Sequence, residues 1–361
     1  MYKFEDIKML HLELSTLCQA SCPMCARNNH GGLPNPKLVE DNLSLERFKS
    51  IATEELLSQL TTISMCGNYG DPILNPELIP IIEYIVSANP AVDLHLHTNA
   101  SARTTAWWKH LARALPEKHI VLFGIDGLED THHLYRIGTS FNKIITNAKA
   151  FIGAGGKARW NFITFKHNEH QLEAAREMSK ELGFESFQEK QTSRFIGEPF
   201  FEVYNKKGEV THKLESPTEK KIAFIDRKTV ENYKQAIASC TIKCEVEGTK
   251  SVYIDAHGYV WPCCFLASVP YQHSTPDRLV WDFMNNSYST LMETLKPFGG
   301  MEGLSTKHRS IKEIVNSNEW QTVWNKGFDD KSILMCARVC GKFTNVDVSQ
   351  CRDQFLDLDE F

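Results

Sequence analysis

The sequence lacks the features of membrane and secreted proteins. No uninterrupted apolar run is long enough to cross a bilayer. Residues 1–8 are polar and charged and do not form the apolar segment of a signal peptide. We therefore expect a cytoplasmic protein that has no membrane partner.

A strong charge of either sign is also missing. The net charge is −5, and 24% of the residues are charged, as is ordinary for a globular protein. Without an excess of Lys and Arg there is no general attraction to phosphates, so we expect no nucleic-acid partner. The 361 residues are 42% hydrophobic, enough for one large domain and a smaller one.

Cysteine, in contrast, is abundant. Eleven cysteines are many for a reducing compartment, where disulfides are disfavoured and clustered thiols indicate metal or redox chemistry. Cys66 stands apart and is expected to be a small core residue. The others form one compact group and one dispersed group: Cys18, Cys22 and Cys25, then Cys240, Cys244, Cys263, Cys264, Cys336, Cys340 and Cys351.

The first half of the chain alternates short apolar strands with amphipathic helices. Helices are predicted from the Asn75-Pro76 start signal, over Phe141–Ile152 and over residues 169–182. Six β-α repeats predict an α/β fold with a parallel sheet or open barrel and its chemistry at the carboxyl ends of the strands. The candidate strands are residues 9–14, 61–65, 93–97, 119–125, 159–164 and 184–188.

The pattern changes in the second half. Residues 196–238 are charged and are predicted to be a loosely packed connector. Residues 251–255 and 259–262 then predict a β-hairpin around Gly258. We therefore divide the chain into a core of residues 1–195, a connector of residues 196–238, and a cysteine-containing domain of residues 239–361.

The compact cysteine group directly follows the first strand, at the carboxyl edge of the predicted sheet. Cys18, Cys22 and Cys25 can hold three irons of a four-iron cluster and leave the fourth iron open for a substrate. The alternative is a structural zinc site, which would need a fourth ligand such as His11 or His30.

The C-x3-C-x2-C spacing, with the apolar Met24 before the last cysteine, resembles the signature of radical S-adenosylmethionine (SAM) enzymes. Tyr69-Gly70-Asp71-Pro72, after the second strand, resembles the GGEP motif of this family, which contacts the amino group of SAM. Here Tyr69 replaces a Gly, and Asp71 replaces the longer Glu.

Two later segments continue the resemblance. His97-Thr98-Asn99 is similar to the TNG segment that lines the SAM site. Ile125-Asp126-Gly127, followed by Arg136, resembles a stretch in which the Arg pairs with the SAM carboxylate, a role that suits a guanidinium. In that stretch, Gly124 occupies the place of the family's Ser. The resemblance implies a (β/α)6 partial TIM barrel and SAM contacts by Met24, Gly70, Asp71, Asn99 and Arg136.

The dispersed cysteines resemble SPASM and twitch modules, which carry auxiliary [4Fe-4S] clusters. Cys244, Gly258 and Cys263 have the spacing of the module's opening, C-x9–15-G-x4-C, and Cys336 with Cys340 can complete a set of four thiolates. The chain lacks the C-x2-C-x5-C-x3-C run of a full SPASM module, so the resemblance implies one auxiliary cluster on a β-hairpin and helix.

Some choices within this group remain open. Cys240 could replace Cys336 as a ligand, and zinc could occupy the site instead of a cluster. Cys264 and Cys351 are expected to be ordinary thiols. Asp255 lies near Cys263 in sequence and is a candidate acid or base.

The resemblance implies reductive cleavage of SAM to a 5′-deoxyadenosyl radical, which abstracts a hydrogen atom from the substrate. We expect a peptide to be modified or oxidised in this way, with a reductant such as flavodoxin or ferredoxin as partner. One alternative is a dehydrogenase acting on a small molecule such as a sugar or cyclitol. The alternative of another class is a non-enzymatic metal-binding protein.

Overall fold

A computed structural model describes residues 1–192, 194–195, 199–219, 240–272 and 287–342. Its central feature is a run of six parallel strands, each paired with the next in sequence. The predicted α/β fold with a parallel sheet is thereby confirmed, while its form as a partial barrel remains a prediction. The strands are β1 (Met9–Leu12), β2 (Thr62–Met65), β3 (Asp93–Thr98), β4 (His119–Gly124), β5 (Ala158–Ile163) and β6 (Ser186–Lys190).

Seven α-helices accompany these strands in the first 192 residues. In α3 the side chains of Leu78, Ile81, Ile82 and Ile85 are buried in one core with the strand residues, and each contributes about 1.5–3 kcal/mol. None of the helices described in the chain is both long and apolar enough to span a bilayer. The seven are α1 (Leu45–Ile51), α2 (Glu54–Gln59), α3 (Leu78–Ala88), α4 (Thr105–Ala114), α5 (His132–Tyr135), α6 (Phe141–Ile152) and α7 (Leu172–Glu181).

Helix boundaries agree with the sequence in one case and differ in two. Helix α6 has the predicted bounds. The helix start predicted at Asn75-Pro76 is early: Asn75 ends a 3-10 turn and its Oδ1 accepts from Glu77 N at 2.8 Å, and α3 begins at Leu78. The helix predicted from residue 169 begins as a 3-10 turn and becomes α-helical at Leu172.

The hairpin predicted around Gly258 joins the main sheet. It consists of β10 (Ser251–Ile254) and β11 (Val260–Trp261), and β10 pairs in parallel with β1. The sheet order is therefore β11-β10-β1-β2-β3-β4-β5-β6. The Asp255 carboxylate accepts hydrogen bonds from the backbone of His257 and Tyr259 and from Trp261 Nε1. This side chain therefore closes the hairpin turn, which is a structural role.

The remaining described residues of the second half form small elements. Strands β9 (Thr241–Ile242) and β12 (Gly341–Lys342) pair with each other. Cys336 and Cys340 lie four residues apart on the last described helix, so they share one face of it. The helices are α8 (Glu245–Thr249), α9 (Cys264–Ser268), α10 (residues 287–294), α11 (Ile311–Val315), α12 (Asn318–Asp329) and α13 (Leu334–Cys340).

A second hairpin lies within the predicted connector. Strands β7 (Phe200–Tyr204) and β8 (Val210–Glu215) are antiparallel. Val203 and Leu214 are fully buried against the loop that carries Cys22. These residues thus differ from the loosely packed connector that their charged composition predicted, because the alternate apolar side chains of the hairpin face the cysteine loop.

Candidate functional site

The first three cysteines lie on the loop that follows β1, at the carboxyl edge of the sheet. Cys22 is buried, and Cys18 and Cys25 are half-buried. A turn in which Cys25 N donates to Cys22 O at 3.0 Å draws two of them together. Burial raises the pKa of Cys22 to about 11, although the nearby Arg136 opposes the shift. The three thiols therefore lie close enough to influence one another, with Cys22 the most buried of them.

Two predicted SAM-binding side chains point donors at these sulfurs. The Asn99 amide nitrogen lies 3.5 Å from Cys18 Sγ, and Arg136 Nη1 lies 3.8 Å from Cys22 Sγ. Donors directed at sulfur are what thiolate ligands of a metal cluster require from their surroundings. The donor set of this loop therefore fits a cysteine-held iron–sulfur cluster.

The Tyr69-Gly70-Asp71-Pro72 motif is hydrogen-bonded to the end of β3. Asp71 is buried, and its carboxylate accepts hydrogen bonds from Thr98 Oγ1 at 3.0 Å, Asn99 N at 2.8 Å and Ile73 N at 3.2 Å. Burial raises the pKa of Asp71, and these donors oppose the shift. A Cβ atom at Gly70 would overlap the Ser15 carbonyl, so only glycine permits this approach of two loops.

Arg136 reaches the cysteine loop from the end of α5 and is held by Asp126. Its Nε donates to Asp126 Oδ2 at 2.5 Å, and Ile163 N donates to Asp126 Oδ1 at 2.6 Å. The absence of a side chain at Gly124 has a physical reason, because a Cβ atom there would collide with the guanidinium of Arg136. The motif Ile125-Asp126-Gly127 did not indicate this role of Asp126, which is to hold the guanidinium of Arg136.

Met24 is placed differently from the polar candidates. Its side chain is buried in an apolar cluster with Tyr135, Phe165 and Leu214, and its carbonyl accepts from Arg194 Nη1 at 2.6 Å. The hairpin β7–β8 supplies part of this cluster. The cysteine loop is therefore covered by apolar side chains on the side of Met24.

The second set of thiols also converges. One cavity is lined by all four cysteines predicted as auxiliary ligands, Cys244, Cys263, Cys336 and Cys340, together with Cys264 and mainly apolar side chains. Burial raises the pKa of Cys263 to about 12, and the nearby Cys340 adds to the shift. A thiol lining of this kind fits a cluster with four protein ligands.

The remaining cysteines are separate from this cavity or outside the described chain. Cys240 is buried at the start of β9 and does not line the cavity. Cys351 lies outside the described residues. Within the described ranges, no three His, Cys, Asp or Glu side chains are arranged to hold a single metal ion.

Glu13 is a functional candidate that the sequence reasoning missed. It lies just beyond β1, is 2% exposed, and accepts hydrogen bonds from Tyr69 N at 2.7 Å, Gly70 N at 3.4 Å and Tyr253 OH at 3.1 Å. The signal was present in the sequence, because an acidic residue between Leu12 and Leu14 interrupts an apolar run and such residues are rarely buried without partners.

Glu13 makes stability depend on pH. Burial raises the pKa of Glu13 from 4.5 to about 7, so the folded protein favours the protonated form. The protonated Glu13 therefore contributes to the free energy of unfolding. This stabilisation is fully present below pH 4.5 and is lost as the pH rises through 7. Relative to Glu13→Gln, the wild type should lose about 3 kcal/mol of unfolding free energy between these limits. Urea unfolding of both proteins at a series of pH values measures this, and parallel curves would contradict it.

The chain is similar to known proteins both in sequence and in structure. Residues 12–178 match the sequence model of the radical SAM superfamily. Over 172 residues the chain is 26% identical to the isethionate sulfite-lyase activating enzyme of Nitratidesulfovibrio vulgaris, covering 46% of this chain and 52% of that protein. The chain thus matches about half the length of this curated relative.

Solved structures with a similar fold include SuiB of Streptococcus suis bound to SAM, with a TM-score of 0.47, 15% identity, and coverage of 78% of this chain and 65% of SuiB. His-tagged anSMEcpe with bound AdoMet has a TM-score of 0.47 and 14% identity over 96% of this chain and 98% of that one. BtrN in complex with AdoMet and 2-DOIA has a TM-score of 0.42 and 14% identity, covering 96% of each chain.

The family match includes the loop of Cys18, Cys22 and Cys25 and every residue predicted to contact SAM. This superfamily implies a [4Fe-4S] cluster and SAM as cofactors. Residues 12–178 of the chain are therefore similar in sequence to a radical SAM domain.

Proposed function

We propose that this chain is a radical SAM enzyme that abstracts a hydrogen atom from its substrate and thereby modifies or oxidises a peptide. The observation that carries the proposal is the convergence of Cys18, Cys22 and Cys25 with the donors of Asn99 and Arg136. A [4Fe-4S] cluster held by these thiolates would supply the electron that cleaves SAM to methionine and a 5′-deoxyadenosyl radical.

The neighbouring residues would bind and orient SAM. Nε of Arg136 is engaged by Asp126, and a guanidinium has five N–H donors, so other donors are left for the SAM carboxylate. Asp71 accepts three hydrogen bonds within the chain, and a carboxylate has about four acceptor positions, which leaves capacity for the SAM amino group. Gly70 lets the backbone approach closely, and Asn99 and Met24 complete the proposed contacts.

Exclusion of water is the second contribution of the chain. Tyr135, Phe165, Val203 and Leu214 form a buried apolar cluster beside the cysteine loop. A reactive radical is protected from side reactions when the site is closed to solvent. We propose that the β7–β8 hairpin serves this purpose.

For the second site we propose an auxiliary [4Fe-4S] cluster held by Cys244, Cys263, Cys336 and Cys340, in a twitch- or SPASM-like domain. The shared cavity supports Cys336 over Cys240 as the third ligand. Four protein thiolates leave no open position for a substrate, so the chemistry the group would supply is acceptance of an electron. This would make the overall reaction an oxidation, with flavodoxin or ferredoxin as the proposed reductant of the first site.

The experiment is a cleavage assay on anaerobically reconstituted, dithionite-reduced protein. We expect brown protein that converts SAM to 5′-deoxyadenosine and methionine in equal amounts. Peptide and small-molecule fractions of a cell extract are then added separately, and mass spectrometry identifies which fraction is changed. A modified sugar or cyclitol with unmodified peptides would reverse the proposed substrate class. Colourless protein that contains zinc and leaves SAM intact would contradict the enzyme proposal.

A further inference from the structure

The loop of residues 67–71, which carries Gly70 and Asp71, is bonded to the chain around Cys263 through buried groups. Glu13 is the first link. Its Oε1 accepts from the backbone of Tyr69 and Gly70, and its Oε2 accepts from the hydroxyl of Tyr253 on β10. One carboxylate therefore joins the loop to the hairpin that leads directly to Cys263.

Two side chains of the loop make the second and third links. Asn68 Nδ2 donates to the carbonyl of Cys264 at 2.8 Å, and Tyr69 OH donates to the carbonyl of Ser268 at 3.0 Å. Both acceptors lie on α9, which starts immediately after Cys263. The predicted SAM-binding loop is thus attached to the first strand of the hairpin that precedes Cys263 and to the helix that follows it.

These hydrogen bonds distinguish Glu13 from a residue that only fills space in the core. Hydrogen bonds between buried groups are stronger than exposed ones, and loss of one partner leaves a buried polar group unsatisfied. The loop has little freedom to shift without α9 or β10, because Tyr69 is 3% exposed and Glu13 is 2% exposed.

We propose that Glu13 is a positioning residue that couples the two cysteine sites. Acting with Asn68 and Tyr69, it transmits order in the Cys263 segment to the loop of residues 67–71, so that filling the second site strengthens SAM binding at the first. The inference rests on the proposed function. Coupling of this kind is reciprocal, so SAM should also protect the second site.

The test is the dissociation constant of SAM for anaerobic holoprotein, measured by equilibrium dialysis. Tyr253→Phe removes only the hydroxyl bonded to Glu13 and should weaken SAM binding about tenfold. Tyr259→Phe is the matched control, because its hydroxyl lies on the same hairpin but bonds to the exposed Glu302 at 2.8 Å. That variant should change the dissociation constant less than about twofold.

A double-mutant cycle distinguishes coupling from local damage. Cys263→Ala, which dismantles the second site, should itself weaken SAM binding, and Tyr253→Phe should then add less than about twofold. Additive effects, or unchanged affinity in Tyr253→Phe, would overturn the coupling. If Cys263→Ala does not fold, hydrogen exchange at residues 67–71 of Tyr253→Phe decides, since faster exchange is expected and unchanged exchange refutes it. Wild-type protein that binds no SAM would instead refute the proposed function.

Discussion

Replacing Cys22 by alanine is expected to abolish SAM cleavage while leaving the second cysteine site filled. Cys22 is the buried member of the first group and the one beside Arg136. Without it the loop offers two thiolates, so iron should fall from about eight to about four per chain. The rate of 5′-deoxyadenosine formation should fall to the uncatalysed level, a loss of about 10⁶-fold or more. Iron analysis and chromatography of the products measure the two effects.

Two further cysteine variants make this result specific. Cys66→Ala changes a thiol at the end of β2 that belongs to neither proposed ligand set, and it should keep about eight irons and its SAM cleavage. Cys263→Ala should lose the iron of the second site and keep that of the first. Retention of eight irons or of SAM cleavage by Cys22→Ala would contradict the assignment of the loop.

Much of the fold follows from local sequence patterns. Each of the six predicted strands overlaps an observed strand. Short runs of β-branched and aromatic residues between turn signals are typical of strands in a parallel sheet that is buried on both faces. The thiols of the first group are also close in sequence, so their proximity required no knowledge of tertiary structure. The roles assigned to Asn99 and Arg136 came from motif resemblance, and the structure places both beside cysteine sulfurs.

What the sequence did not reveal depends on contacts between distant segments. The pairing of β10 with β1 joins residues about 240 positions apart, and no local pattern specifies such a neighbour. The link between Glu13 and Tyr253 follows from that pairing. The start of α3 differs for a local reason, because residues 75–77 form a turn in which Asn75 Oδ1 accepts from Glu77 N at 2.8 Å, and the helix begins only at Leu78.

The contacts of Asp126 predict a large loss of stability in Asp126→Ala. The side chain is fully buried and accepts from both Arg136 Nε and Ile163 N. Burial raises the pKa of Asp126, an effect that Arg136 partly offsets, so the carboxylate depends on its partner. Removing it leaves the guanidinium uncompensated, and breaking a buried pair in this way costs about 3–5 kcal/mol. Urea unfolding of the reduced, metal-free protein measures the loss.

An exposed pair provides the control, because it has similar geometry in a different environment. Lys166 Nζ lies 2.6 Å from Glu215 Oε2, and both side chains are about half exposed. Glu215→Gln should therefore change the unfolding free energy by less than about 1 kcal/mol, since water screens the charges. A loss below about 1 kcal/mol in Asp126→Ala as well would mean that Arg136 finds another partner in the folded protein. In that case Asp126 would not be what aims the guanidinium at Cys22, and the proposed orientation of the SAM carboxylate would lose its support.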